Sequence, residues 1–144
     1  MNIIFPTNTR QIINEIRGAI GRTVEFLKEI REDCPTCTVD PLTGLSVDSF
    51  CATCSGNGYL ITYSGTTISG HVIDKPNQIM DWSTAGKHFS GDKSVQIEYT
   101  DLNLTTLTEA KYVMVDGDRM RIKDRTKRGV PDLNRIIIDL ELEE

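Results

Sequence analysis

Histidine, tryptophan and long apolar runs are all scarce in this 144-residue chain, which has two histidines and one tryptophan. No stretch approaches the roughly 20 apolar residues that a membrane-spanning helix needs. The opening Met1-Asn2-Ile3-Ile4-Phe5-Pro6 has no basic segment and little apolar length before proline, which argues against a secretory signal. The expectation is a soluble intracellular protein with no membrane contact. With only His71 and His88 to draw on, no Ser-His-Asp or Cys-His arrangement can be built, and each histidine is read as a surface or packing residue. Neither a Gly-x-x-x-x-Gly-Lys-Ser/Thr phosphate loop nor a Gly-x-Gly-x-x-Gly run occurs. Asp116 and Asp118 flank a turn and are read as turn formers. An enzyme is therefore the least supported class. Positive charge is also short, with 16 Lys and Arg against 21 Asp and Glu and a net charge of −5. Sequence-independent DNA binding relies on the opposite balance.

The four cysteines all fall in two pairs, Cys34-Pro35-Thr36-Cys37 and Cys51-Ala52-Thr53-Cys54, with 13 residues between them. That is the spacing of a four-thiolate zinc ribbon, in which two tight turns each offer two sulfurs to one tetrahedral ion. Pro35 and the Ser55-Gly56-Asn57-Gly58 run supply the turn chemistry. Zinc held by Cys34, Cys37, Cys51 and Cys54 is the expectation, with a filled shell and a structural role. Two disulfides are the alternative expected of a small secreted domain, and iron would accept the same ligand set.

The chain has the length of one domain with an insertion. Capped by Thr7 or Thr9, Ile12, Ile13, Ile16, Ala19 and Ile20 follow helical spacing. Gly18 and Gly21 weaken the helix, and a strand over residues 23–31 is preferred to its continuation. Asp40-Pro41-Leu42-Thr43-Gly44 predicts a turn inside a loop or short hairpin. Beyond the second cysteine pair, residues 59–63, 67–73, 94–99, 111–115, 119–123 and 135–142 read as strands. Residues 76–92, with Trp82, His88 and Phe89, read as a long loop with one short strand near residues 79–82. An Asp116-Gly117 turn joins two strands, the second presenting Arg119, Arg121 and Lys123. The last strand alternates Ile136, Ile138, Leu140 and Leu142 with Ile137, Asp139, Glu141 and Glu143. The acidic row is expected to face the basic one across a sheet. The alternative for the six basic residues in 119–128 is nucleic-acid contact.

The fold class that follows is mainly β: a small antiparallel β-barrel with a short N-terminal helix and an inserted four-cysteine zinc ribbon. The expected divisions are residues 1–33 for the helix and first strand, 34–58 for the zinc ribbon and 59–144 for the barrel.

A short N-terminal helix, a small β body with turns at Gly91-Asp92 and Val115-Asp116-Gly117, and a long alternating strand at the end resemble the head-closure or stopper family of tailed bacteriophages. The resemblance covers residues 64–144 and rests on the order of features; the cysteine insertion departs from the family's minimal form. It implies a structural virion protein of the phage neck, a ring subunit between portal or adaptor and tail proteins that helps retain DNA or pass it without sequence readout. Localisation would be the virion neck, after assembly in the host cytoplasm. In a ring, Trp82 and Phe89 would be candidates for contact with a neighbouring subunit. Cys51-Ala52-Thr53-Cys54-Ser55-Gly56-Asn57-Gly58 is also similar to the Cys-x-x-Cys-x-Gly-x-Gly repeat of forty-kilodalton heat-shock chaperones, but the first pair lacks the glycines. A zinc-ribbon nucleic-acid-binding or regulatory protein is the remaining alternative.

Overall fold

Val24 and Phe26 decide the competition between helix and strand after residue 20. Helix α1 (Thr9–Ile20) ends at Gly21, and strand β1 (Arg22–Asp33) starts at once. Val24 and Phe26 are buried while Thr23, Glu25 and Leu27 are less so, which is the period of a strand. In the computed structural model of the chain, the described residues are 4, 6–74, 80–83, 86–89 and 92–143. They divide into two compact units, one of Met1–Leu27 with Gly65–Glu144 and one of Lys28–Ser64. The second unit is wider on both sides than the 34–58 insertion expected, because the ends of β1 and β2 belong with it.

Further along come β2 (Tyr59–Asp74), β3 (Met80–Ser83), β4 (Gly86–Phe89), β5 (Lys93–Glu98), α2 (Asp101–Glu109), β6 (Ala110–Val115), β7 (Asp118–Arg128) and β8 (Arg135–Leu142). Six strands close into an antiparallel barrel in the order β1-β2-β5-β8-β7-β6. Closure removes free sheet edges. Its interior is filled by side chains, among them Phe26, Val95, Ile97, Val113, Met120, Ile136, Ile138 and Leu140. A barrel this narrow holds a packed core and no channel of its own. Mainly β architecture, a short N-terminal helix and a closed barrel are thus as expected.

Four elements differ from the sequence reading. Strand β2 runs unbroken through Ser64 and Gly65, where two strands were expected. A Cβ at Gly65 would run into the Glu25 carboxyl, so this glycine marks a close approach within a strand and not a turn. Within residues 76–92 the described residues are 80–83, 86–89 and 92; the short strand expected near residues 79–82 is present as β3, and it pairs with a second strand that was not expected, β4, with Met80 opposite Phe89 and Ser83 opposite Gly86. Four-residue strands are too short to print a period in sequence. The side chains of Trp82, His88 and Phe89, and with them the expected neighbour contact, lie outside the described residues.

Helix α2 is the third difference, since residues 101–109 were assigned no helix. Thr100 Oγ1 accepts from Asn103 N at 3.1 Å as its N-cap. Thr105, Thr106 and Thr108 donate back to the carbonyls of Asp101, Leu102 and Leu104, which satisfies hydroxyls that would otherwise favour strand or turn. Leu107 is buried in the core and Leu104 packs on it. The fourth difference is the length of β7, whose polar half, residues 124–128, is held by pairing to residues 135–139 of β8.

The turn at Asp116 and Gly117 has φ values of 53° and 91°, as a two-residue hairpin turn requires. Strands β7 and β8 are neighbours, and the charged rows meet. Arg121 lies opposite Glu141, its Nε donating to Glu141 Oε1 at 2.9 Å while Nη2 reaches the same oxygen. Arg119 Nε donates to Glu143 Oε2 at 2.7 Å. A bulge between Ile122 and Asp124 shifts the register, so Asp124 stands opposite Asp139 and Lys123 Nζ lies 3.7 Å from Glu141 Oε2. Hydrogen bonds from Arg121 hold the Glu141 carboxyl below the ordinary glutamate range. The ladder's contribution is therefore present above about pH 4.3, and is lost as pH falls through the lowered value.

Two outcomes are expected. Ile138→Ala, at a fully buried position of β8, should cost about 2–5 kcal/mol in denaturant unfolding. Arg121→Glu should lower the melting temperature by placing like charges opposite each other, and adding Glu141→Arg should recover it, with both effects shrinking at high salt. Equal melting temperatures for the single and double variants would show that the ladder carries no stability.

Candidate metal centre

Each cysteine pair sits on a tight turn within the Lys28–Ser64 unit, between the end of β1 and the start of β2. The 13-residue spacer is a small hairpin. Val39 bridges Ser46, Val47 N donates to Thr38 O at 3.0 Å, and Asp40 N donates to Leu45 O at 2.9 Å. Asp40 builds the turn at its end, accepting from Leu42 N at 2.9 Å and from the Thr43 hydroxyl at 3.0 Å. These bonds hold the Asp40 carboxyl below its ordinary range. The predicted turn at residues 40–44 is thus present, and it returns the chain to the second cysteine pair.

All four Sγ atoms lie within 4.8 Å of one another, and the cysteines are free thiols. Cys34 Sγ is 3.9 Å from Cys51 Sγ, and Cys37 Sγ is 3.5 Å from Cys54 Sγ. Bonds of 2.3 Å to one tetrahedral ion imply sulfurs about 3.8 Å apart, between these two distances. Neither separation approaches the roughly 2.05 Å of a disulfide. The four residues expected to hold a metal are therefore together, and they could hold one ion with no ligand position left over. Cys34, Cys51 and Cys54 are buried, and Leu60 packs against the cluster.

The protein arranges the thiols' acidity unevenly. A backbone N–H at Thr36 brings Cys34 down to about 6. At Cys37 the Ser46 hydroxyl favours the thiolate, but burial and bonds from the other three thiols outweigh it and push the group up to about 12. At Cys54 burial opposes ionisation, and the Gly58 N–H at 3.3 Å, with Cys37 and Cys51, outweighs it and lowers the value. Gly58 is irreplaceable in this role. Its φ is +81°, and a Cβ there would meet Ser46 N at 2.8 Å. Its carbonyl also accepts from Cys34 N at 3.0 Å, tying the second knuckle to the first.

Sequence reading missed one part of the site. Thr36 and Thr53 occupy the same place in the two Cys-x-Thr-Cys turns, and their hydroxyls are 2.9 Å apart. Cys34 with Cys51, Thr36 with Thr53 and Cys37 with Cys54 meet in pairs, each 17 residues apart, so equivalent positions of the two knuckles face each other. The signal was the repeated threonine. His71 lies on β2 opposite Gln96 and is not part of the centre. Among the described residues no other group of three or more His, Cys, Asp or Glu has metal-site geometry, and no helix is long and apolar enough to cross a membrane. No protein-family model matches this sequence, and no curated protein matches it.

Binding a metal at neutral pH requires thiolates, so protons must leave, the most tightly held of them from Cys37. Affinity should rise with pH, and calorimetry in buffers of different ionisation enthalpy should show proton release. Cys51→Ser should reduce bound metal to well below one per chain. It should also open the Lys28–Ser64 unit to hydrogen exchange while the barrel amides stay protected. Full metal content in this variant would remove the cluster as the site.

Proposed function

We propose that this chain is a non-enzymatic structural subunit of a tailed-phage neck, of the head-closure kind, with a zinc ion at Cys34, Cys37, Cys51 and Cys54. The observation that carries the reading is the isoleucine stripe of α1. Ile12, Ile16 and Ile20 recur every four residues on one face, and Ile16 is 56 % exposed. Arg17, held by Asn14 Oδ1 at 2.8 Å, is the buried residue of that helix. A helix that turns isoleucine outward while anchoring through polar groups is built to meet another surface. Because the barrel is closed, partners must dock on such side-chain patches and cannot add a strand to it. The element order of helix, barrel and alternating final strand supplies the resemblance to neck proteins.

In this reading the metal is structural, since four cysteines complete a tetrahedral shell. Copies of the chain form a ring against the portal or adaptor, and DNA passes through a conduit formed by the whole ring. An acidic subunit lets a polyanion pass without sticking. The nucleic-acid-binding alternative is weakened by the basic row itself, because Arg119, Arg121 and Lys123 are engaged by Glu141 and Glu143.

Electron microscopy of the purified protein mixed with a portal ring should show a closed ring of added density. A chain that ignores the portal ring and shifts a DNA probe would establish the alternative. Metal analysis should give one zinc per chain and a colourless protein; the visible absorption of iron thiolate would replace zinc with iron.

A further inference from the structure

Among the described residues, two apolar surfaces open to solvent differ in charge. One is the end of the metal-bound hairpin in the Lys28–Ser64 unit. Leu42 and Phe50 are each 93 % exposed there, and Leu45 and Val47 are more than half exposed. Asp40 and Asp48 lie among them, and residues 32–58 contain four acidic residues and no Lys, Arg or His. A tetrathiolate divalent site adds two further negative charges. The other surface belongs to the barrel unit. Ile13, Ile16 and Ile20 of α1 line a groove with Arg135, which continues past Lys127 and Arg128, the latter part having a volume of about 490 Å³. Its lining residues include Asn134 and Arg135, whose Oδ1 and Nε are buried with no hydrogen-bond partner among the described residues. Glu98, the carboxylate beside α1, is already engaged by Arg10 and Asn14.

We propose that the metal-hairpin tip of one copy docks into the α1 groove of a second copy. Apolar side chains would be covered on both sides, and the acidic tip would meet Lys127, Arg128 and Arg135. Both patches are on every chain, so the contact is heterologous: each copy gives a tip to one neighbour and a groove to the other, and the chain of copies closes into a ring if the rotation permits. The metal's part is to hold the tip rigid, which removes the ordering cost that a free 13-residue loop would incur on docking. Closure rests on the ring reading proposed above; the pairwise contact does not.

The test uses the zinc-loaded chain and two variants, Phe50→Asp at the tip and Ile16→Glu in the groove. Both positions are exposed, and metal content with circular dichroism checks that each folds. Wild-type protein should self-associate in sedimentation velocity up to millimolar concentration. Each variant alone should associate roughly tenfold more weakly or not at all. An equimolar mixture should give a one-to-one complex and nothing larger, because the mixture restores one good tip with one good groove. A mixture that stays monomeric, either variant assembling as the wild type does, or a monomeric wild type would overturn the docking. Should either variant fail to fold, the wild type decides alone. Its association must weaken as salt is raised, and strengthening would overturn the charge-matched contact. Wild-type chains that grow open and never close would defeat the ring and leave the docking. Rings formed equally by both variants would do the reverse.

Discussion

Strand β8 is the constraint on which the barrel depends. It hydrogen-bonds to β5 on one side and β7 on the other, so the two parts of the barrel that are distant in sequence are joined through it. Its inner face, Ile136, Ile138 and Leu140, is fully buried, and its outer face carries the carboxylates that hold β7. A one-residue slip would turn isoleucine and leucine outward and bring Asp139 and Glu141 into the core. The bulge in β7 lets that register coexist with the turn at Asp116 and Gly117, absorbing one residue where the two demands differ.

The metal-hairpin unit solves a different problem. Its residues are short of apolar bulk, and several of the large ones face solvent, so it has little hydrophobic burial to offset the ordering of its backbone. An ion held by the four cysteines would cross-link the two turns and stand in for a core. The N–H donated by Gly58, the hydroxyl contact of Thr36 with Thr53 and the turn built by Asp40 prearrange the thiols.

Much of this was legible in the sequence because short-range chemistry dictated it. The four cysteines announce their geometry through spacing, the Asp-Gly turn through its φ requirement, and β8 through strict alternation. What was hidden depends on partners distant in the chain. Residues 124–128 are a polar run with no period, held as strand by the backbone of β8. The threonines of α2 favour other conformations until Leu104 and Leu107 find the barrel core. Gly65 reads as a break unless the Glu25 side chain beside it is known. The isoleucines of α1 have the spacing of a buried face, and sequence alone does not reveal that Arg17 takes the inward position.

The paired threonines between the two knuckles carry an evolutionary consequence. Thr36 and Thr53 meet at equivalent positions of the two knuckles, where either hydroxyl can be the donor. Both side chains are exposed, and a change at one removes the hydroxyl that joins the two turns, so the two positions are coupled through that contact. Descendants of this chain should keep both or exchange both. The pair would then be a covariation marker for the metal-bound form, surviving even where the lengths of the surrounding loops diverge.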